Sequence, residues 1–255
     1  MDLEATIEEP GTAEASDPPA TRIAYRHRLP TRLWHWVNAL TVFVMLMSGL
    51  MILNAHPRLY WGEYGANFDP AWLDLGPRPI PGWATIPSTY NLAAARIWHL
   101  AFAWVLVVGL LAFLLTSLWN RHVQRDLAPR RHELSRRHIW TDIKDHARLR
   151  FPAGEAALRY NILQKLSYAA IIFVILPLIV LTGLAMSPAM DAAWPWLLDL
   201  FGGRQSARSI HFLCASAISL FILVHLLMVL LAGPINEIGS MITGRFRVPP
   251  DRNGR

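Results

Sequence analysis

The sequence predicts an all-α membrane protein, built as a bundle of four transmembrane helices. Of its 255 residues, 53 % are hydrophobic and 16 % are charged, whereas roughly 25 % of an ordinary soluble domain is charged. Eleven tryptophans are typical of aromatic belts at the two membrane surfaces. The net charge of +6 would also fit a nucleic-acid-binding protein. The basic residues lie between apolar stretches, however, and that pattern favours membrane topology.

Four apolar stretches are long enough to cross a hydrocarbon core about 30 Å thick. They cover about 33–53, 92–119, 162–186 and 207–231. Pro177 lies inside the third stretch, where we expect a kink because proline cannot donate a backbone hydrogen bond. We predict a four-helix domain over 22–248 with a short tail over 249–255. Residues 1–21 hold six acidic side chains without an apolar period and predict a disordered cytoplasmic tail.

The distribution of basic residues predicts the orientation in the membrane. Arginines precede the first span, and the connection 120–160 carries ten Lys or Arg against five acidic residues. Arg245 and Arg247 follow the last span, whereas the connection 54–91 holds two basic and three acidic residues. The positive-inside rule therefore places both termini and the connection 120–160 in the cytoplasm, and the other two connections outside.

Four histidines lie within or at the ends of the predicted spans, and the orientation gives each of them a depth. His211 and His225 are fourteen residues apart, so on a helix they share one face with about 21 Å of rise between them. His99 and His211 fall near the outer surface (the outer pair), and His35 and His225 near the inner surface (the inner pair). Each pair can supply two axial imidazoles to one haem b. A single histidine at a span end is commonly only an interfacial residue, but four that pair by depth favour two haems.

An arginine precedes three of these histidines by three residues: Arg32, Arg96 and Arg208. At this spacing the two side chains share a helix face, and a guanidinium group there can bind a haem propionate through charge-assisted hydrogen bonds. The alternative is an ordinary arginine that extends from a helix end to the membrane surface.

Other cofactor chemistry finds little support in the sequence. The single cysteine, Cys214, excludes a disulfide framework and a cysteine metal cluster, and no C-x-x-C-H motif for covalent haem attachment occurs. The H-E-x-x-H motif of zinc hydrolases is also missing.

With these residues assigned, the chain resembles the prokaryotic four-helix di-haem cytochromes b of formate dehydrogenases, nickel–iron hydrogenases and thiosulfate reductases. The resemblance covers about residues 22–248 and rests on the R-x-W-H sequence ending at His35, on His99, and on the H-x13-H spacing of His211 and His225. Segments 27–36 and 161–165 are most similar to the thiosulfate-reductase branch. The resemblance implies a bacterial inner-membrane subunit with two haems b. It also implies a quinone site near the inner haem and a periplasmic partner oxidoreductase, of the molybdenum-cofactor type, that performs the substrate chemistry.

Two further regions receive functional predictions with alternatives. Asn161, Gln164 and Lys165 begin the third span at the depth of the inner pair, where they would bind quinone or else form a polar collar at the membrane surface. The connection 54–91 is rich in Trp, Tyr and Phe. It would dock the periplasmic partner, since aromatic residues are enriched in interfaces, or cover the membrane surface as a lid.

The predicted function is transfer of electrons between the quinone pool and the partner enzyme. One alternative is a stand-alone cytochrome of the b561 type that oxidises quinol. Another is a haem-free membrane anchor or transporter, although the four-turn separation of His211 and His225 is too large for one metal site.

Overall fold

The computed structural model describes residues 22–66, 68–121, 123 and 127–249. The predicted N-terminal tail 1–21 and nearly all of the predicted tail 249–255 lie outside these residues. Within them, the fold consists of nine α-helices, joined by short irregular segments and two small strand pairs. The helices are α1 Leu29–Ala55, α2 Leu92–Trp119, α3 Arg136–Ala147, α4 Ile162–Ala170, α5 Leu176–Ala185, α6 Pro188–Ala193, α7 Trp196–Leu200, α8 Arg204–Ala232 and α9 Pro234–Thr243. The strands are β1 Ile23–Tyr25, β2 Arg58–Leu59, β3 Leu73–Asp74 and β4 Arg245–Arg247.

Four helical segments are long and apolar enough to span a membrane: Leu29–Ala55, Leu92–Trp119, Gly154–Ala185 and Arg204–Ala232. They confirm the predicted four-helix class. Their inward faces meet in one apolar core, in which Cys214 is buried as a small packing residue. The buried members of this core are Val42, Leu106, Leu110, Phe113, Leu127, Ile172, Leu176, Ile179, Cys214 and Ile218.

The third span is interrupted at the place where the sequence predicts a kink. A π-helical turn, Ile171–Ile175, connects α4 to α5 and ends two residues before Pro177. Proline lacks the N–H that an α-helix needs and its ring crowds the carbonyl four residues earlier. A π-turn is a common site for such an irregularity.

Both ends of the described chain meet at one end of the bundle. β1 pairs antiparallel with β4, with Ile23 opposite Arg247, and Arg26 Nη1 donates to Glu237 Oε2 at 3.0 Å. The connection before α4 joins them, because Gly154 N donates to the Pro249 carbonyl at 3.0 Å. The segment before α1, the connection 120–160 and the segment after α9 therefore share one end of the molecule. This is required of a chain that crosses the membrane an even number of times.

The connection 54–91 covers the opposite end, where it is fastened to the start of α8. Gly62 N donates to Ser206 Oγ at 2.7 Å, and Trp72 Nε1 donates to Ser209 Oγ at 2.9 Å. Ser209 Oγ donates in turn to the Tyr60 carbonyl at 2.6 Å. At Gly203, which has a φ of +102°, an added Cβ would lie 2.7 Å from the Glu63 backbone, so only glycine permits this approach.

Four helices were not predicted from the sequence. The short α6 and α7 lie in the connection 187–206. α3 lies inside the polar connection 120–160, and α9 follows α8 after Gly233, whose φ of +113° ends that helix. The regions of α3 and α9 were expected to be basic connections only. α9 carries apolar residues at Ile235, Ile238 and Ile242, which is the helical spacing of an amphipathic surface helix and a signal that could have revealed it.

Candidate haem-binding sites

The four histidines of the spans lie in two pairs, each formed across two helices. The ring centres of His99 on α2 and His211 on α8 are 6.2 Å apart, with the ring planes at 58°. The ring centres of His35 on α1 and His225 on α8 are 6.3 Å apart, with the planes at 63°. Because α8 carries one histidine of each pair, four turns of this helix separate the pairs.

This spacing fits two imidazoles bound to opposite sides of one metal ion. A metal–imidazole bond measures about 2.0 Å, and the nitrogen lies about 1.1 Å from its ring centre, so two rings in line across the metal have centres about 6.2 Å apart. The described residues form no group of three or more His, Cys, Asp or Glu around a common point. Two-histidine axial ligation of a haem iron therefore suits the donor set better than a site made of protein ligands alone.

Within the described residues, the hydrogen bonds that hold the outer pair engage Nδ1 of each ring. His99 Nδ1 lies 3.1 Å from Ser48 Oγ and 3.1 Å from the Met45 carbonyl. His211 Nδ1 lies 3.1 Å from Thr182 Oγ1. A carbonyl accepts only from a protonated nitrogen, so the network assigns the proton of His99 to Nδ1 and leaves Nε2 as the ligand atom.

A cavity of about 2560 Å³ borders the outer pair. Its walls include both outer histidines and two of the predicted arginines, Arg96 and Arg208. Most of its lining is apolar, which is typical of cofactor sites with a few polar groups. The cavity exceeds the roughly 300–1,000 Å³ of usual ligand pockets, so its volume does not limit a group of haem size.

Beside the outer pair, Arg96 and Arg208 form a positive cluster next to His56. Arg208 Nη2 donates to the His56 carbonyl. Burial lowers the pKa of His56 below its ordinary value, and the positive charges of Arg208 and Arg96 lower it further. The cluster is suited to carboxylates such as haem propionates.

The third predicted arginine has a different environment. Arg32 Nη2 donates to the Ile242 carbonyl near the end of α9, and Trp36 Nε1 donates to the neighbouring Met241 carbonyl at 3.1 Å. Arg32 therefore connects α1 to the C-terminal turn of α9, whose carbonyls favour a positive charge. Its predicted role toward a propionate of the inner haem stays a prediction.

The three residues predicted to bind quinone all have partners within the protein. Asn161 and Gln164 form a capping box: Gln164 N donates to Asn161 Oδ1 at 2.9 Å, and Asn161 N donates to Gln164 Oε1 at 3.2 Å. Lys165 Nζ contacts both carboxylate oxygens of Glu133 at 2.8 Å. These contacts start α4 and join it to the preceding connection.

The residues behind the outer histidines were not predicted from the sequence. Ser48 and Thr182 are fully buried, and the signal for them was a hydroxyl residue followed by glycine in two different spans, Ser48-Gly49 and Thr182-Gly183. The signal has meaning only when the packing of α1 against α2 and of α5 against α8 is known.

A bundle of four apolar helices that holds two histidine pairs at different depths defines the class of transmembrane b-type cytochromes. The family model described as prokaryotic cytochrome b561 matches residues 26–244, and the chain belongs to this family. Its recognition as a prokaryotic cytochrome b is thereby confirmed.

Curated relatives agree with this assignment. The chain is 31 % identical to a putative protein-methionine-sulfoxide reductase subunit YedZ1 of Azospira oryzae, over 78 % of this chain and 87 % of that protein. It is 24 % identical to a probable Ni/Fe-hydrogenase B-type cytochrome subunit of Cupriavidus necator, over 88 % of this chain and 86 % of that protein. A subunit of the same name from Azotobacter vinelandii is also 24 % identical, over 89 % of this chain and 90 % of that protein. No solved structure matches the chain significantly.

Proposed function

We propose that this protein binds two haems b and carries electrons across the bacterial inner membrane, between the quinone pool and a periplasmic oxidoreductase. His99 and His211 would hold the outer haem, and His35 and His225 the inner one. The observation that carries this proposal is the presence of two histidine pairs, with ring centres 6.2 and 6.3 Å apart, on different turns of α8.

The role of the protein would be to hold the two haems through these four histidines. Haem iron supplies one-electron chemistry when bound. Two histidines per iron leave no open coordination position, which favours electron transfer over reaction with oxygen. Arg96 and Arg208, on the wall of the outer cavity, would compensate the charge of the propionates.

The quinone reaction is tested by adding a quinol anaerobically to the purified protein and recording haem reduction by stopped-flow absorbance. We expect both haem bands of the wild type to become reduced. His225→Ala removes a ligand of the inner haem, so reduction of the remaining haem should slow at least about tenfold. An unchanged rate would contradict entry of electrons on the inner side.

The periplasmic partner is proposed to dock on the connection 54–91. Three aromatic side chains of this connection are largely exposed: Tyr64 at 86 %, Phe68 at 101 % and Trp83 at 83 %. Large aromatic side chains are preferred in interfaces, so these three are suited to contact a partner. The names of the relatives support a partner, because both describe subunits of a reductase or a hydrogenase. The molybdenum-cofactor type rests on the resemblance to formate dehydrogenase and thiosulfate reductase subunits.

Surface substitutions test docking better than deletion of the connection, because Gly62 and Trp72 fasten it to α8. The triple variant Tyr64→Ala, Phe68→Ala, Trp83→Ala should lose co-purification with the partner. Phe68 and Trp83 also line the outer cavity, so the single variant Tyr64→Ala, outside that lining, should weaken co-purification and retain both haems. Trp119→Ala serves as the control, since this residue is 90 % exposed at the opposite end of α2. If the triple variant still binds the partner, the result would favour the alternative that the connection 54–91 covers the membrane surface as a lid. A wild type that is active without any co-purifying subunit would favour the stand-alone cytochrome.

A further inference from the structure

The outer histidine pair stands on two helix pairs with the same local sequence pattern. In α1, Met45, Ser48 and Gly49 face His99, and in α5 Ile179, Thr182 and Gly183 face His211. The spacing between the three positions is identical in both helices. Each opposing histidine follows an arginine by three residues, in Arg96-Ile-Trp-His99 on α2 and Arg208-Ser-Ile-His211 on α8. The helix pair α1–α2 therefore repeats in α5–α8.

The hydroxyl groups of the repeat have a defined direction of hydrogen bonding. Ser48 Oγ donates within its own helix, to the Val44 carbonyl at 2.7 Å or the Met45 carbonyl at 3.2 Å. A hydroxyl has one proton, so toward His99 Nδ1, at 3.1 Å, Ser48 Oγ is the acceptor.

The second half of the repeat has the same arrangement. Thr182 Oγ1 donates to the Leu178 carbonyl at 2.8 Å or the Ile179 carbonyl at 3.1 Å, and it accepts from His211 Nδ1 at 3.1 Å. The Met45 carbonyl also accepts from the His99 ring, at 3.1 Å from Nδ1.

The glycine of each repeat lies directly beside the imidazole. A Cβ added at Gly49 would lie 3.4 Å from His99 Cε1, and one added at Gly183 would lie 3.4 Å from His211 Cε1. Each ring thus directs its Nδ1–Cε1 edge toward a helix surface that has no side chain at this point, with Nδ1 next to the hydroxyl.

The inner pair is built differently. Among the residues that the structure describes, His35 and His225 are surrounded by rings: Trp36 meets His35 edge-on at 5.3 Å, and Phe221 stacks on His225 at 5.8 Å. No hydroxyl is seen at the Nδ1 of either ring within the described residues. The repeat is thus a property of the outer pair.

We propose that Ser48 and Thr182 are positioning residues that hold the two outer histidines in the Nδ1–H form and, by accepting that proton, set the reduction potential of the outer haem. The inference rests on the proposed haem-binding function. Acceptance of the Nδ1 proton makes an imidazole a more basic ligand, and a more basic ligand favours ferric over ferrous iron. Loss of the hydroxyl takes away the Thr182 acceptor of His211 Nδ1 and leaves His99 Nδ1 with the Met45 carbonyl. The potential should therefore rise, and it should rise more in Thr182→Val than in Ser48→Ala.

The test compares variants that separate the hydroxyl from its volume. Thr182→Val keeps the shape and removes the hydroxyl, whereas Thr182→Ser keeps the hydroxyl. Removal of a group that hydrogen-bonds a metal-ligating histidine typically costs about 10- to 100-fold in metal affinity or activity. If the substitution weakens binding of ferric haem tenfold and leaves binding of ferrous haem unchanged, the outer potential rises by about 59 mV for one electron. Spectroelectrochemical titration should therefore show one of two haem transitions shifted upward in Thr182→Val and in Ser48→Ala, and the wild-type value in Thr182→Ser.

Matched controls come from hydroxyls with the same hydrogen bonds inside a helix. Thr116 Oγ1 donates to carbonyls three and four residues back at 3.1 and 2.8 Å, and so does Ser167 Oγ. Thr116→Val and Ser167→Ala should leave the outer potential unchanged. An equal shift in these controls, or two haems with no shift in Thr182→Val and Ser48→Ala, would overturn the inference alone. A wild type without haem would overturn the proposed function as well.

Discussion

The ion pair of Lys165 and Glu133 distinguishes a structural role of Lys165 from a role in quinone binding. Lys165 Nζ contacts both Glu133 oxygens at 2.8 Å, and the side chains are only 9 % and 15 % exposed. Glu133→Gln leaves a buried ammonium group without its counter-charge. Removal of one partner of a buried pair costs about 3–5 kcal/mol, and we expect about 3 kcal/mol here because part of Glu133 still meets solvent.

The assay is thermal unfolding of the purified protein, with a double-mutant cycle. A loss of about 3 kcal/mol corresponds to a midpoint roughly 6–12 °C lower in a chain of this size. Lys165→Met should lower it similarly, and the double variant Glu133→Gln, Lys165→Met should lose much less than the sum. Additive losses, with a coupling energy below about 0.5 kcal/mol, would refute the reasoning that the two charges stabilise each other.

The same variants test the quinone prediction. If Lys165 only supports the fold, haem reduction by quinol should fall in parallel with stability in both single variants. A Lys165→Met variant that loses quinol reduction, beside a Glu133→Gln variant that retains it, would instead support a contact between Lys165 and quinone.

The pair also predicts acid sensitivity. Burial acts to raise the pKa of Glu133, but hydrogen bonds from Lys165 and the Arg130 backbone, with the charges of Lys165 and His132, hold it below its ordinary value. A carboxylate with a lowered pKa in the folded state stabilises the protein at neutral pH, and this contribution is lost as the pH falls from about 4.3 toward the lower folded value. Glu133→Gln should remove this part of the acid dependence.

Three further predictions concern the outer half of the molecule. Gly49→Val should displace the His99 ring, with a loss of about 1–3 kcal/mol of stability and loss of the outer haem. Gly239→Val should retain both haems, because a Cβ added at Gly239 has no neighbour within 4 Å. Equal haem loss in the two variants would contradict the steric argument. His56 has a lowered pKa, so its protonation destabilises the fold as the pH falls below about 6.5. His56→Gln should therefore reduce the fall of the thermal midpoint between about pH 7 and pH 5. Trp72→Phe removes one hydrogen bond, worth about 1 kcal/mol, and hydrogen exchange should show faster opening of the connection 54–91 with no change in haem content.

The four spans were predictable because a bilayer imposes a length and a composition on every crossing helix. The positions of the histidines followed from the same constraint, since a span with a known direction gives each residue a depth. His99 and His211 occur on different helices, yet their depth alone brings them to the same level.

Residues whose role depends on packing were harder to predict. Asn161 and Gln164 were predicted to bind quinone or to form a polar collar at the membrane surface. N-x-x-Q before an apolar run is also the signature of a helix cap, and in the structure the two residues cap α4; the quinone role stays a prediction. Arg32 resembles Arg96 and Arg208 in sequence, but α9 folds back to offer it the Ile242 carbonyl. A sequence pattern gives the face of one helix and not the element that packs against it.

The central claim is that two histidine pairs hold two haems, and haem quantification with a dithionite-reduced minus oxidised spectrum tests it most directly. The purified wild type should contain two haems b per chain, and His225→Ala should contain about one, with the spectrum of the outer haem. A wild type without haem would contradict the account and favour a haem-free anchor or transporter.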